Sequence, residues 1–405
     1  MSNPRNSSNS GATVANPEMV MDVQEGNAQY LLPAERQIPK GYKQTEVGVI
    51  PEDWDATKLG NFVSLQRGHD LTEYDRKSGE IPVMGSAGQN GFHETALVKG
   101  PGVVLGRSGA SFGQAHYCEK DFWPHNTALY VTDFCGNDKL FAYYFLCALD
   151  FSRHNSGGAQ QSLNRNFIAP VPVGVPPLTE QEAIAEALSD ADALIEALEQ
   201  LVAKKRQLKQ GTMQELLTGK RRLPGFSGEW EIKQLGEIAH IKTGSRNNQD
   251  KVEDGEYPFF VRSATIERIN SYSHECEAIL VPGEGGIGSI FHYIDGRFDV
   301  HQRVYAITQF ISDVSGKYVY LYMTMHFGVH AMQNSVKATV DSLRLPTFLE
   351  FEVKLPPTIK EQASIAQILT DMDSEIAELE TKLTKARAVK QGMMQQLLTG
   401  RIRLL

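Results

Sequence analysis

Two stretches of this chain, 181 residues apart, have nearly the same sequence. Residues 180–223 and 361–404 align without a gap, and 23 of their 44 positions are identical. The residues that precede the two stretches also echo one another, since PEDWDATKLG at 51–60 returns as SGEWEIKQLG at 227–236. A period of this length is far beyond the roughly 20–50 residues of solenoid repeats. The sequence therefore predicts a duplicated module, a globular unit followed by a long helix, with a pseudo-two-fold axis.

Apolar residues in both repeated stretches recur at alternating intervals of four and three, which is the coiled-coil pattern. Neither run contains a proline, whereas proline pairs at 176–177 and 356–357 stand just before them, and Gly219 and Gly400 suit a C-terminal cap. Each helix is predicted to span about 38 residues, roughly 57 Å. The predicted seam of the helix pair consists of Ile184, Leu188, Ile195, Leu198, Val202, Ile365, Leu369, Met372, Ile376, Leu379 and Leu383.

Charge is polarised along each predicted helix, with acidic residues in the first half and basic residues in the second. An antiparallel pair sets acid against base along the seam, whereas a parallel pair sets like charges against each other. We therefore expect an intramolecular antiparallel coiled coil with one globular unit at each end. The alternative is that both helices are generic coiled-coil spacers that bind helices of partner proteins.

The regions outside the repeated stretches are rich in glycine, proline, aromatic and β-branched residues. Short apolar runs at 102–105, 128–131, 278–281 and 304–307 lie between turn signals and are predicted strands. The expected fold class is α+β, with two mostly-β globular domains joined and separated by the two long helices. The expected divisions are a disordered extension at 1–37, a first globular domain at 38–175, a first helix at 176–220, a second globular domain at 221–355 and a second helix at 356–405.

Composition limits the classes to which the chain can belong. The four cysteines form no CxxC pair, so no metal site is predicted, and scattered reduced thiols fit the cytosol. The longest apolar run near a helix, 141–149, is about half of a membrane span, and the N-terminus has no apolar signal region, so we expect a cytoplasmic protein. The net charge of −9 counts against a nucleic-acid-binding protein unless partner subunits supply most of the phosphate contacts.

Polar loops between the predicted strands hold the candidate recognition chemistry. A pseudo-two-fold molecule suits a two-fold target, most commonly DNA read as two half-sites. Arg can pair with guanine edges and Asn or Gln with adenine. The two units differ most in these loops, so we expect them to read two different half-sites. The candidate DNA-binding residues are Arg67, Ser86, Asn90, Arg107, Ser108, His125, Asn126, Gln160, Gln161, Asn164, Arg165, Lys242, Ser245, Arg246, Arg262, Ser263, Gln302, Arg303, Lys337 and Thr339.

Catalytic motifs in the chain lack the context that they need. The run 283–288 fits GxGxxG, but the following residues read as a strand rather than the helix of a dinucleotide site. Asp341 with 352–354 loosely imitates a nuclease pattern that has no counterpart in the first unit. The chain has no phosphate-binding P-loop, no histidine pair at metal spacing and no amino-methyltransferase tetrapeptide. No catalytic residue and no bound cofactor are therefore predicted.

The ordered motifs of the chain resemble those of the specificity subunits of type I restriction–modification systems. The resemblance is carried by VIPEDW at 49–54 with KLG at 58–60, and by the entries and exits of both predicted helices. The entries read PP…EQ…IA, beginning at Pro176 and Pro356, and the exits read LLTG, ending at Gly219 and Gly400. The resemblance covers residue 38 to the end, and the N-terminal extension departs from the pattern.

This resemblance implies two target recognition domains, each reading one half of a bipartite, asymmetric DNA site. It implies that the helices set the spacing and dock two methyltransferase subunits, which use S-adenosylmethionine to methylate adenine. It also implies that two restriction subunits using ATP can join. The chain itself would be a non-catalytic subunit of that complex. Two rival readings remain open. One is a nuclease or methyltransferase acting alone; the other is a coiled-coil adaptor with two ligand-binding lobes and no DNA role, which the acidic net charge favours.

Overall fold

The computed structural model describes residues 38–155, 161–286, 288–333 and 342–404. The predicted extension at 1–37 lies outside these residues. The elements of the first half are β1 (Tyr42–Thr45), β2 (Gly48–Pro51), β3 (Asp55–Lys58), α1 (Leu59–Phe62), β4 (Ser64–Arg67), β5 (Ile81–Gly85), β6 (Gly88–His93), β7 (Gly102–Gly106), β8 (Ala115–Cys118), β9 (Trp123–Pro124), β10 (Ala128–Asp133), α2 (Lys139–Ala148), α3 (Arg165–Ile168), β11 (Pro172–Val175) and α4 (Leu178–Leu216).

The second half repeats this order with small differences. Its elements are β12 (Glu231–Gln234), α5 (Leu235–Ile238), β13 (His240–Thr243), β14 (Tyr257–Phe260), β15 (Ile266–Ile269), β16 (His274–Pro282), β17 (His292–Val300), β18 (Val304–Thr308), α6 (Gly316–Gln333), α7 (Leu345–Leu349), β19 (Glu352–Leu355) and α8 (Ile359–Leu397).

The main sheets of the two units share one arrangement. The first unit has a four-stranded sheet in the order β4–β10–β7–β8 and a three-stranded sheet in the order β6–β5–β9. In the second unit the corresponding strands form one six-stranded sheet, β13–β18–β16–β17–β14–β15. The difference arises because β17 is a continuous nine-residue strand that pairs with both β16 and β14. The corresponding strand of the first unit is divided into β8 and β9.

A short two-stranded ribbon closes each unit just before its long helix. β3 pairs with β11 in the first unit, and β12 pairs with β19 in the second. The proline pairs at 176–177 and 356–357 follow these ribbons and end the strands, because proline has no amide hydrogen to continue a ladder. The helices α4 and α8 begin immediately afterwards, and each is 39 residues long.

The two long helices pack against each other in antiparallel orientation. Two pairs of salt bridges across them are related by the internal repeat, and a fifth bridge has no repeat-related counterpart. The bridges are Arg206–Glu380 with Arg387–Glu199, Lys209–Asp373 with Lys390–Asp192, and Lys205–Glu375. In every pair a basic residue from the second half of one helix meets an acidic residue that lies before or near the middle of the other, as antiparallel pairing requires. The predicted α+β fold with an antiparallel helix pair is confirmed.

The predicted seam residues are all buried or half-buried. Their burial is greatest near the helix starts and at Val202 and Ile376, and the other positions are half-buried. The buried members are Ile184, Leu188, Val202, Ile365, Leu369 and Ile376, and the half-buried members are Ile195, Leu198, Met372, Leu379 and Leu383.

The core of each globular unit extends into both long helices. The first core contains Ile184 and Leu188 from the start of α4, together with Leu397 and Leu398 from the end of α8. The second core contains Leu216 and Leu217 from the end of α4, together with Ile365 and Leu369 from the start of α8. Each unit is therefore fixed to one end of the helix pair by residues of both repeats.

A buried carboxylate at the start of each long helix strengthens this connection. The carboxylate of Glu180 accepts from Arg403 Nε at 2.7 Å and from Trp54 Nε1 at 2.8 Å. At the opposite end, the carboxylate of Glu361 accepts from Arg222 Nε at 2.6 Å and from Arg222 Nη2 at 2.7 Å. Each arginine comes from the segment that follows the other helix. Each of these two ion pairs therefore joins a residue of one repeat to a residue of the other.

The glycines after the helices allow these segments to turn back. Gly219 and Gly400 have φ angles of 72° and 69°, in the left-handed region that favours glycine. A Cβ at Gly400 would lie 2.6 Å from Cδ of Pro51, so the helix end also packs closely on the first unit. The predicted capping role of both glycines is confirmed.

Candidate nucleic-acid interface

In the first unit, the loops that follow β5, β7 and β9 converge. The Ser86 hydroxyl donates to the Ser108 carbonyl at 2.8 Å and accepts from the Ser108 amide at 3.1 Å. The Arg107 amide donates to the Thr127 carbonyl at 3.1 Å, and Arg107 Nη1 lies 3.4 Å from the Asn126 carbonyl. Four predicted site residues, Ser86, Arg107, Ser108 and Asn126, therefore lie in one half-buried cluster.

Arg67 and His125 border this cluster. Arg67 is the last residue of β4, and its guanidinium lies 3.7 Å from the carboxylate of Asp70. Asn126 Nδ2 donates to the same carboxylate. The ring Nδ1 of His125 lies 3.0 Å from Thr127 Oγ1. These contacts orient the turn before β10 and keep Arg67 beside it.

Three of the remaining candidates of the first unit make contacts with other parts of the unit. Asn90 is exposed on β6, and its carbonyl accepts a hydrogen bond from an arginine. Asn164 caps α3 through its side-chain oxygen, and the guanidinium of Arg165 donates to a backbone carbonyl of β4 at 3.3 Å. Gln161 is exposed. Gln160 lies outside the described residues.

In the second unit, two predicted arginines share one carboxylate. Glu284 Oε2 lies 3.2 Å from Nη1 of Arg262, and Glu284 Oε1 lies 3.0 Å from Nη1 of Arg303. The Arg303 amide donates to Nδ1 of His301 at 3.0 Å. Burial has the largest effect on His301 and, with the charges of Arg262 and Arg303, holds its pKa below the ordinary value. This favours the neutral ring, which can accept the bond.

Arg246 has a carboxylate partner of its own. Arg246 Nε donates to Oδ2 of Asp299 at 3.1 Å, and the hydroxyls of Ser271 and Ser273 each donate to Asp299 at 2.8 Å. Burial by itself would raise the pKa of Asp299. The hydrogen bonds from Ser273, Ser271, the Val300 amide and Arg246 outweigh burial and hold that pKa below its ordinary value. Asp299 is thus a buried anion that fixes the half-exposed Arg246.

The other candidates of the second unit lie around these groups. The Ser263 carbonyl lies 3.0 Å from a histidine ring nitrogen, and Gln302 donates its side-chain amide to a neighbouring asparagine. Ser245 is exposed in the loop after β13, whereas Lys242 is exposed within β13 itself rather than in a loop. Two predicted residues lie outside the described residues, Lys337 and Thr339.

Strand pairing identifies equivalent positions in the two units. The amides of His125 and His301 both donate to the strand beside them, β5 in the first unit and β14 in the second. Ser108 and Glu284 each form an isolated bridge with a serine, at position 162 and position 342 respectively. Ser108 and Glu284 therefore occupy the same place in the repeated fold.

Counting along the strands from these anchors aligns the other loop residues. Ser86 corresponds to Arg262, and Thr127 corresponds to Arg303. Three neighbouring positions of the repeated fold thus carry neutral hydroxyl residues in the first unit. In the second unit the same three positions carry two arginines and a carboxylate. The same backbone geometry presents different chemistry in the two units.

Sequence reasoning missed the two carboxylates of this region. Glu284 belongs to the run 283–288, which the sequence analysis considered only as a dinucleotide motif, and Asp299 lies within a strand. β17 begins at His292 after that run, so no helix follows it. Six acidic residues lie between Arg262 and Arg303 in the sequence, and only the fold separates Glu284 from the others.

The described residues contain no group of three or more potential metal ligands. In the same part of the chain, no helix is both long enough and apolar enough to cross a membrane. Asp341 lies outside the described residues, so the loose nuclease pattern can be judged only from residues 352–354, which form most of β19.

The sequence matches the type I restriction modification DNA specificity domain twice, over residues 51–210 and 227–386. It is 27% identical to the type I restriction enzyme EcoDI specificity subunit of Escherichia coli over 42% of this chain and 37% of that protein. It is 20% identical to the type I restriction enzyme MjaVIII specificity subunit of Methanocaldococcus jannaschii over 87% of this chain and 94% of that protein.

A solved structure has the same fold. The S subunit of a type I restriction-modification system from M. genitalium has a TM-score of 0.65 and 16% identity, covering 85% of this chain and 96% of that one. The two domain matches confirm the resemblance deduced from the sequence motifs. The family's domain matches twice and together the two matches cover most of the chain. The chain therefore belongs to the family of type I restriction–modification specificity subunits, which are non-catalytic.

Proposed function

We propose that this chain recognises a bipartite, asymmetric DNA site, with one globular unit reading each half-site. The observation that carries the proposal is that equivalent loops of one repeated scaffold hold different polar residues, Ser86 and Ser108 in one unit and Arg262 and Glu284 in the other. A shared scaffold suits a target of repeated geometry, and different loop residues suit two different base sequences. The antiparallel helices would set the distance between the half-sites.

We further propose that the helix pair docks methyltransferase subunits, with restriction subunits able to join the complex in the cytoplasm. S-adenosylmethionine and ATP would be used by those partners. Leu194, Leu201 and Leu208 support this proposal, because they are exposed on α4 at intervals of seven residues. An exposed apolar stripe with this spacing suits a partner helix. Substituting both Leu201 and Leu208 by Glu should reduce methyltransferase co-purification roughly tenfold or more. The control A203E changes an exposed residue on the opposite face of α4 and should not reduce it.

The net charge of −9 favours the alternative, a coiled-coil adaptor with two ligand-binding lobes. Much of the acidity lies on the long helices, where the interhelical salt bridges use several of the carboxylates. The loop cluster of the second unit is locally basic, because two arginines surround one glutamate. Phosphate contacts supplied by methyltransferase subunits would account for the remaining deficit in basic residues.

Selection from a randomised DNA library distinguishes the two functions. The full chain, together with methyltransferase subunits that co-purify with it, is incubated with randomised duplexes, and the retained DNA is sequenced. The proposal predicts one enriched motif made of two short defined blocks around an undefined gap. A properly assembled complex that enriches no sequence would favour the adaptor.

A further inference from the structure

We propose that Glu284 is a specificity-determining positioning residue that holds Arg262 and Arg303 as a paired guanine reader in the second unit. This inference rests on the proposed function and deepens it, because it assigns a base class to one half-site. Glu284 itself does not need to touch DNA. Its role is to hold two half-exposed guanidinium groups side by side.

The geometry of the three side chains suits this role. Glu284 is 22% exposed, whereas Arg262 and Arg303 are 50% and 59% exposed. One carboxylate oxygen contacts each arginine, and each contact engages Nη1. The Nη2 and Nε groups of each arginine can therefore still donate together to two acceptors, as bidentate recognition of guanine requires.

The backbone around Glu284 is held from both sides. The Gly283 amide donates to the Arg303 carbonyl at 2.9 Å, and the Leu343 amide donates to the Gly283 carbonyl at 2.8 Å. A Cβ at Gly283 would lie 2.9 Å from Cε2 of Tyr305, so this position leaves no space for a larger residue. The backbone beside Glu284 is thus anchored to the residue that carries one of its partner guanidinium groups, which limits the motion of the pair.

The carboxylate favours a base edge over a phosphate as the ligand of this pair. A phosphate is negatively charged, so Glu284 would repel it and offset part of the attraction of the arginines. The O6 and N7 atoms of guanine are neutral acceptors and carry no such penalty. Two arginines that served only to neutralise the DNA backbone would bind phosphate better without the glutamate between them.

The first unit has no counterpart of this reader at the same place. Its equivalent residues are Ser86, Ser108 and Thr127, whose hydroxyls can donate or accept and carry no charge. The reciprocal hydrogen bonds between Ser86 and Ser108 occupy the place that the salt bridges occupy in the second unit. The paired guanine preference is therefore expected in one half-site only.

The test is the same DNA selection performed with E284Q, which keeps the side-chain shape but removes the charge. The preference for guanine should fall roughly tenfold at two positions of one half-site, while the other half-site stays unchanged. E284D, which restores a carboxylate, should recover part of the preference. The matched control is E275Q, which removes the carboxylate of the exposed Arg297–Glu275 pair on neighbouring strands and should leave the motif as it is in the wild type.

R262K and R303K test the same inference if E284Q does not fold. Lysine keeps the charge but lacks the planar fork, so each variant should relax guanine preference at a different single position. An unchanged motif in E284Q, or in both lysine variants, would overturn the inference. A uniform loss of affinity with a shallower salt dependence would also overturn it, since that pattern indicates phosphate contacts. Failure of the wild-type complex to enrich any motif would instead count against the proposed function.

Discussion

Two buried carboxylates do the same structural task at opposite ends of the helix pair. Glu180 and Glu361 are at equivalent positions, and each is held by an arginine from the segment after the other helix. Burying a carboxylate is costly unless it is paired and hydrogen-bonded. The cost is met here by bidentate arginine contacts, which also fix the chain segments that they join. Each pair therefore fixes the start of one long helix to the segment that follows the other, at the end where a globular unit packs.

We predict that R222M destabilises the protein strongly. Glu361 is 0% exposed, so removing its arginine leaves an unpaired buried charge. The free energy of unfolding should fall by about 3–5 kcal/mol, as measured from the unfolding of the second unit in urea. The matched control is R221M, because the neighbouring Arg221–Glu215 pair is exposed and its loss should barely move the midpoint. The double variant R222M/E361Q should regain much of the stability, and equal effects of R222M and R221M would contradict the prediction.

Asp299 gives a pH-dependent prediction. Its folded pKa is below the ordinary value of about 3.9, so its stabilising contribution is fully present above that pH and is lost as the pH falls through the folded pKa. D299N should therefore melt below the wild type at pH 7, and the gap should narrow below about pH 4. The control D254N changes an exposed carboxylate and should follow the wild type throughout. A gap that stays constant from pH 7 to pH 3 would be inconsistent with this role of Asp299.

At this scale the sequence indicates candidate residue types but not the partners that hold them. Arg246, Arg262 and Arg303 were selected because arginine is a common reader of bases. Glu284 and Asp299 were not, because their importance comes from contacts across strands that are distant in the sequence. Asn164 shows a second reason why partners are hard to predict. An asparagine in a polar loop can read a base or cap a helix, and here its side chain caps α3.

At the scale of elements, the long helices were the most predictable part of the molecule. A four–three apolar pattern without proline determines helix, inner face and supercoiling together, and the charge pattern adds orientation. Strand pairing was less predictable. The nine-residue β17 and the divided pair β8 and β9 occupy the same place, and only their non-local partners distinguish one sheet from two.

Removing one heptad from the centre of each long helix tests whether the pair acts as a ruler. Deletion of residues 198–204 and 379–385 keeps the four–three seam and removes opposing segments of the two helices. The helix pair should shorten by about 10 Å, which corresponds to roughly three base pairs of DNA. We expect the gap in the recognised motif to shorten while both half-sites keep their sequences.

The control for this deletion keeps the helix length. It replaces the exposed residues Gln200, Lys204, Lys382 and Lys385 of the same two heptads by other helix-forming residues. It retains the seam residues, Leu201 of the proposed docking stripe and the salt-bridge residues Glu199 and Glu380. This variant should recognise the wild-type motif. A deleted variant that assembles with its partners and keeps the wild-type gap would exclude the ruler.

At the scale of the whole molecule, the chain is a duplicated scaffold whose two units carry different loops. Each globular core includes residues from both long helices, which holds the units at opposite ends. The loops can nevertheless change without disturbing these contacts, because the helix residues of both cores and the pairs Glu180–Arg403 and Glu361–Arg222 lie in the repeated stretches. Under the proposed function, this arrangement predicts that the two half-sites are read independently.

Exchange of one unit tests this independence. Residues 55–170 are replaced by the corresponding domain of another family member whose recognised motif is known, and both helices are retained. We expect one half-site to change to that of the donor, while the second half-site and the gap stay the same. The control exchanges the same residues with a relative that recognises the same motif. Altered reading of both half-sites would refute independent units.

The most direct test of the central claim is a map of methylated adenines. Genomic DNA is sequenced by a long-read method from cells with and without this gene, with the partner methyltransferase expressed in both. The account predicts a single bipartite motif, two different half-sites around a fixed gap, that is methylated only when the gene is present. Identical methylation in the two strains, with an active methyltransferase, would contradict it.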